Sequence, residues 1–257
     1  MSLILLANTV ADAAAQIIQT DSSDVATASG HHECVEQGTR LTYWNAGATA
    51  ARRIAYINKT NKLSADYMVL LDAVNHVGYS LKTLSWSDYP STLTTHETKT
   101  LAAEDLVGPN ARDYVYPFSS LQSGKEAFGI ELASSGYNKT VTSLYFGVGF
   151  EMNYFAAERG LEYSPIPEGA QPVQYKRDLY FLSGQLSFDV GNLTQDDIDS
   201  FYALPDQEPM LLYDASGDIL EHKLLHCILL NADIHAAFND LYAISFSFGV
   251  IRDSWLI

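Results

Sequence analysis

Basic residues are scarce. Lys and Arg number 15 against 31 Asp and Glu, a formal net charge of -16 over 257 residues. A protein that grips a nucleic-acid backbone gathers Lys and Arg into runs or stripes, and none occurs here, so nucleic acid is excluded as a ligand. Cysteine is scarcer still, with only Cys34 and Cys227. Nearly the whole chain separates them and no C-x-x-C pair exists, so neither a disulfide framework nor a zinc knuckle is indicated, and both are expected as buried thiols. Long apolar runs are missing too. The opening "MSLILLANTVADAAAQIIQT" holds no Lys or Arg and is broken by Asn8, Asp12 and Gln16. It lacks the charged region of a secretory signal and falls short of the roughly 20 apolar residues that span a bilayer. No membrane insertion is expected. Leu3 to Leu6 predicts a short strand leading into a small helix, the start of an N-terminal arm over residues 1–39.

Signatures of catalysis and of metal binding are likewise absent. His222 and His226 stand four apart, but the H-E-x-x-H pattern is missing and "ILEHKLLHCILL" reads as a strand. "DASGD", residues 214–218, lacks the acidic series and distal Glu of a calcium loop and predicts a hairpin turn. "SLQSGKE" is no phosphate loop, there is no G-x-S-x-G elbow, and Glu104 and Asp105 sit in a turn-like context. "HHEC", residues 31–34, is dense in ligating types but has no partner at a defined spacing, so it reads as an exposed loop. The expectation is a chain with no catalytic, cofactor-binding or metal-binding residues. The sequons at Asn58, Asn138 and Asn192 read as turn chemistry.

Aromatic residues are plentiful, with 16 Tyr, 11 Phe and 3 Trp, a composition that favours sheets and contact surfaces. Between residues 40 and 155, short apolar or alternating runs recur: "LTYWNAG", "RRIAYIN", "DYMVLLDAV", "YSLKTLSW", "HETKTL", "DYVYPF", "AFGIEL" and "VTSLYFGVGFEM". Turn-forming stretches such as "NKTNK", "SDYPS", "VGPN" and "SSGYNK" separate them, the pattern of a β-sandwich or jelly roll. Residues 156–178, with Pro165, Pro167 and Pro172, read as an extended linker or arm.

Residues 179–257 predict a smaller β-rich domain running strand, helix, strand, strand, strand. "RDLYFLSGQLSF" reads as a strand buried largely on both sides. In "LTQDDIDSFYAL", Thr194 is placed to cap a helix with Asp196 and Asp197 in its first turn and with Ile198, Phe201 and Tyr202 on its buried face. The "DASGD" hairpin follows. In "YAISFSFGV", residues 242–250, Tyr242, Ile244, Phe246, Phe248 and Val250 alternate with small residues, and this last strand is expected to partner "GQLSFDV", residues 184–190. The fold class is therefore mainly β. Two functions fit it. One is a structural subunit that assembles through sheet edges and arms. The other is a carbohydrate-binding module in which the loop aromatics Trp44, Trp86 and Tyr89 stack on sugar faces.

"ADYMVLLDAVNHVGYSLKTLSWSDY" and "EAFGIELASSGYNKTVTSLYFGVGFEM" resemble the discoidin-like, galactose-binding-like jelly rolls of tailed-bacteriophage virion proteins. The closing stretch, "YFLSGQLSFDVGNLTQDDIDSFYAL" through "NDLYAISFSFGVIRDS", is similar to the last unit of phage distal-tail or baseplate proteins. The likeness spans about residues 35 to 255 in pattern. It implies a non-enzymatic virion component of the tail tip, made in the host cytoplasm. Such a component assembles as a homo-oligomeric ring with other tail and baseplate proteins and can face host-surface glycans. This sequence departs from that group by placing the larger jelly roll first. Within this reading, "SPIPEG" with Pro165 and Pro167 is the candidate clasp, and Trp255 packs either on its own sheet or on the next subunit.

Overall fold

The computed structural model describes residues 2–21, 44–45, 51–72, 76–134, 140–141, 143–153, 162–166, 173–175, 178–180, 182–204, 209–237 and 240–251. The chain forms two compact units. One is residues 8–148, and the other joins residues 1–7 to 149–257. The first strand, β1 (Ser2–Leu6), belongs to the second of these, whereas α1 (Thr9–Ala13) and the strands that follow belong to the first. A strand and a short helix were expected here, but not this allegiance. What read as the start of an arm over residues 1–39 is an interior strand of a sheet whose other strands come more than a hundred residues later, and the sandwich is inserted between them.

The inserted unit is a β-sandwich. Its strands are β2 (Gln16–Asp21), β3 (Trp44–Asn45), β4 (Arg52–Ile57), β5 (Leu63–Leu71), β6 (Ser80–Asp88), β7 (Thr92–Thr100), β8 (Tyr114–Lys125), β9 (Ala127–Leu132), β10 (Thr140–Val141) and β11 (Ser143–Gly147). A five-stranded sheet runs β2-β4-β9-β6-β7 and a three-stranded sheet runs β11-β5-β8, with every pairing antiparallel. The strands β3 and β10 pair separately. The inner faces bury Ile54, Tyr56, Phe128 and Ile130 of the larger sheet against Met68, Leu70, Leu144 and Phe146 of the smaller one. Each such side chain contributes about 1.5–3 kcal/mol of transfer free energy. Tyr56 also donates its hydroxyl to the Leu144 carbonyl at 2.8 Å, a buried polar group satisfied across the two sheets. At Gly129, in the middle of the larger sheet, a β-carbon would run into the Ile54 carbonyl oxygen, so the strand spacing requires glycine.

The turn reading of Asn58 is met. Its carboxamide oxygen accepts the N–H groups of Thr60 (3.0 Å) and Asn61 (2.8 Å), and its amide donates to the Ala13 carbonyl at 2.6 Å. Asn192 takes a left-handed backbone at φ 58, while Asn138 lies outside the described residues.

The second unit adds β12 (Gly149–Asn153), β13 (Glu162–Pro165), β14 (Val173–Tyr175), β15 (Asp178–Tyr180), β16 (Leu182–Leu193), α2 (Gln195–Tyr202), β17 (Pro209–Asp214), β18 (Leu224–Ala236) and β19 (Tyr242–Ile251). Its seven-stranded sheet runs β12-β1-β17-β18-β19-β16-β13 and curls until β12 lies against β16, with α2 packed where they meet. Phe201 of α2 fills that gap, 5.7 Å from the Phe150 ring and 5.5 Å from that of Phe246. The predicted cap is present: Thr194 Oγ1 accepts the Asp197 N–H at 3.3 Å, and Asp197 Oδ2 accepts the Thr194 N–H at 2.7 Å. The predicted partnership of the last strand holds too, with Phe188 opposite Phe246 and Leu186 opposite Phe248.

Three expectations change. The strand β16 buries only one face: Leu186, Phe188 and Val190 are inside, while Gln185 and Asp189 are exposed. Tyr202 does not share the buried face of α2 but stands 70% exposed, since it follows Phe201 by a full 100° of helix rotation. The extended arm is in part a strand. Glu162–Pro165 pairs with β16 as the edge of the curled sheet, where Pro165, having no N–H to donate, is tolerated. Pro167 and Trp255 lie outside the described residues.

Candidate binding surface

The loop aromatics come first. Trp44 pairs through β3 with Val141, and its side chain lies outside the described residues. Trp86 is 0% exposed and Tyr89 7%. Trp86 does not sit in a loop. It lies on β6, one alternation beyond Leu84, and packs with Ala55, Ile57, Ala127 and Tyr89 on the outer face of the five-stranded sheet. The two rings meet edge to face at 5.3 Å, and the Tyr89 N–H donates to Glu126 Oε2 at 2.9 Å. Neither ring can stack on a sugar. The same face carries a buried ion cluster, in which Glu131 takes Arg53 and Lys82, each at 2.6 Å. Burial pushes the Glu131 carboxyl up, but the Lys82 and Arg53 hydrogen bonds outweigh it and hold the group below the usual glutamate range.

A different set of side chains comes together on the open side of the sandwich, where β7 ends the five-stranded sheet and β8 ends the three-stranded one. Along β8 the alternation Tyr114, Tyr116, Phe118 sends every second ring toward β7. Along β7 a register shift near Thr95 adds a residue and swings His96 to the same side. The two edges are then stitched together. Tyr114 donates its hydroxyl to Glu97 Oε2 at 2.8 Å, and Tyr116 donates to the His96 carbonyl at 3.4 Å. The His96 ring stands perpendicular to Phe118 at 4.8 Å, and Phe118 packs on Tyr116 at 5.2 Å. Below them, His96 Nε2 and Ser85 Oγ are 2.8 Å apart, and the Thr83 hydroxyl, on the same face of β6, is buried without a hydrogen-bond partner. Lys99 and Asp105 close the lower end at 2.8 Å.

The electrostatics follow from half-burial beside charge. Burial, with the Lys125 charge adding to it, holds His96 below the ordinary histidine value. Burial and the Glu97 carboxylate push both tyrosine hydroxyls up, so each stays a neutral donor. The surface thus offers the partly exposed rings of Tyr116 and His96 over the buried Phe118, phenol oxygens that can accept, and one carboxylate, framed by the exposed residues Thr94, Thr95, Ser119 and Ser120. It is suited to holding a polar ligand by hydrogen bonds and ring contact.

The sequence marked "HETKTL" and "DYVYPF" only as strands. The signal that could have joined them is Tyr114, Tyr116 and Phe118 at every second position, three aromatics on one face of a sheet edge. The other candidates do not form a centre. His226 lies buried on β18 as the strand reading implied, but His222 lies in the turn before it, because the strand starts only at Leu224, and residues 31–34 lie outside the described residues. Among the described residues no group of His, Cys, Asp or Glu is arranged to hold a metal ion, and no helix is long and apolar enough to cross a membrane. Cys227 is a buried free thiol, pushed up by burial, and Cys34 is outside the described residues.

The fold and this surface define a mainly β protein in which a sandwich is inserted into a curled sheet. No family model and no curated protein matches the chain. Solved structures that resemble it include carbohydrate-binding modules. CpGH89CBM32-6 from Clostridium perfringens is 10% identical with a TM-score of 0.37, over 51% of this chain and 90% of that one. A chitosan-binding module of a chitosanase/glucanase from Paenibacillus sp. IK-5 is 12% identical with a TM-score of 0.39, over 51% and 93%. The module of AlyQ in complex with 4,5-unsaturated mannuronic acid is 13% identical with a TM-score of 0.37, over 52% and 94%.

Proposed function

We propose that this protein is a non-enzymatic carbohydrate-binding protein whose sandwich holds a sugar on its open side. The observation that carries the reading is the Tyr116, Phe118 and His96 platform flanked by the Tyr114 and Glu97 pair. A sugar ring presents an apolar C–H face and a rim of hydroxyls. The partly exposed Tyr116 and His96 rings, seated on the buried Phe118, answer the first need, and the Glu97 carboxylate with the phenol oxygens as acceptors answers the second. On a glycan array the intact protein is expected to bind a defined set of sugars, and Tyr116→Ala to reduce that signal at least about tenfold while the protein stays folded by circular dichroism. Silence across the array, or a variant that binds like the parent, would refute it.

A second reading is assembly into a virion tail tip with copies of itself or with neighbouring tail proteins. Large apolar side chains left open on the curled-sheet unit favour it: Tyr163 is 53% exposed, Tyr202 70% and Leu230 42%. Size-exclusion chromatography with light scattering should then give a defined multimer. A stable monomer at all concentrations tested sinks it.

A further inference from the structure

We infer that the ligand of the open-side surface carries a carboxylate, recognised by Lys125 together with His96. This inference rests on the sugar-binding reading and narrows it to acidic sugars such as uronates.

Lys125 ends β8 at the Ser85 end of the platform. The N–H of Glu126, the next residue, donates to the Trp86 carbonyl at 2.8 Å, and Ser85, beside Trp86, holds the His96 ring. Two potential cations therefore flank one end of the platform. In a chain of net charge -16, three nearby lysines are committed to carboxylates, Lys62 to Glu126 at 2.6 Å, Lys82 to Glu131 at 2.6 Å and Lys99 to Asp105 at 2.8 Å, while Lys59 lies over the Tyr89 ring at 6.0 Å. Lys125 has no ion-pair partner among the described residues, although it is only partly exposed. The carboxylates that could neutralise this end are engaged elsewhere, Glu97 by the Tyr114 hydroxyl and Glu126 by Lys62 and the Tyr89 N–H. An unmatched cation on a partly dry surface is stabilised by an incoming anion.

Ser85 on β6 and Phe118 on β8 meet the His96 ring, Lys125 on β8 acts on it through its charge, Tyr116 holds the His96 carbonyl, and Glu97 follows it on β7. Without ligand, burial and Lys125 favour the neutral imidazole. A bound carboxylate reverses the local field and favours the imidazolium, so binding takes up a proton and tightens as pH falls toward 6.

The test is calorimetric titration of the intact protein with galacturonate and glucuronate oligosaccharides and with their neutral galactose and glucose counterparts, at pH 6 and pH 8. Uronates are expected to bind about tenfold more tightly than the neutral sugars at pH 6, the effect of one charge-assisted contact, and more weakly at pH 8. Lys125→Met should erase that preference while leaving the neutral sugars unchanged, and Lys125→Arg should restore most of it. Neutral sugars that bind as well as uronates, or a uronate preference that survives Lys125→Met, overturn this inference and leave sugar binding standing. Binding by neither class overturns both.

Discussion

Asp214→Ala is expected to destabilise the curled-sheet unit by about 3 kcal/mol, a loss outside the usual range for a turn residue. Asp214 is 0% exposed at the end of β17, and its carboxylate organises the whole connection to β18. One oxygen accepts the Ser216 N–H at 3.1 Å, the Ser216 hydroxyl at 2.7 Å and the Gly217 N–H at 3.0 Å. The other accepts the Ile219 N–H at 2.6 Å and the Leu220 N–H at 2.9 Å. The loop bends through left-handed residues at Gly217 (φ 73) and Lys223 (φ 61), and its backbone donors turn toward the Asp214 carboxylate. Alanine removes the shared acceptor of all five bonds, one of them from the buried Leu220. Asparagine keeps one acceptor oxygen but turns an NH2 toward donors, and it should recover less than half of the loss. Urea unfolding followed by circular dichroism checks both. A cost below about 1 kcal/mol for alanine would mean that the loop rearranges freely.

The same carboxylate gives the stability a pH dependence of known sign. Burial raises the Asp214 carboxyl, but the Leu220, Ser216, Ile219 and Gly217 hydrogen bonds outweigh it, so its folded value lies below the ordinary 3.8. A depressed value means that the unfolded chain binds the proton more readily. The contribution is therefore fully present above the ordinary aspartate value and is lost as pH falls through the lower, folded one. Asp214→Ala should flatten the acid limb of the stability curve in that window and leave the neutral region lower but parallel.

Local features were legible where neighbours in sequence decide them. The Thr194 cap, the Asn58 turn and the alternation of β19 each depend on a few adjacent residues, and each stands where it was read, while the hairpin at "DASGD" is present with a connection that runs on to Lys223. The pairing of β19 with β16 was legible because both runs alternate with the same small residues between large aromatic ones. The insertion was not, because only the partners of "SLILL" reveal its place, and those are Gly149–Asn153 and Pro209–Asp214. The candidate surface was not legible for a related reason. Trp86 attracts attention as a rare aromatic, but its face of β6 is buried, and no local pattern reports that. The residue that completes the surface, His96, is turned into place by a register shift between strands, a property of pairing and not of composition.

The insertion itself sets the other large effect: Leu5→Asp should unfold the curled-sheet unit. On a dispensable arm the substitution would cost within about 0.5 kcal/mol. Here Leu5 is 0% exposed, paired with Phe150 on one side and Leu212 on the other, and Leu3, Ile4 and Leu6 are buried with it, which is why this short strand is apolar at successive positions. Leu5→Ala already removes a core side chain at a cost of about 2–5 kcal/mol. A carboxylate at that point adds the cost of an unpaired charge among Phe150, Leu212 and Met152, so the total exceeds about 4 kcal/mol and approaches the stability of an ordinary domain. Hydrogen exchange resolves where the damage falls. Amides of Tyr242–Ile251 should lose their protection, while those of Ala127–Leu132, at the centre of the inserted sandwich, keep theirs. Retained protection in Tyr242–Ile251 would show that β1 is not needed to close the sheet. Loss in both segments would show instead that the sandwich depends on the unit that carries it.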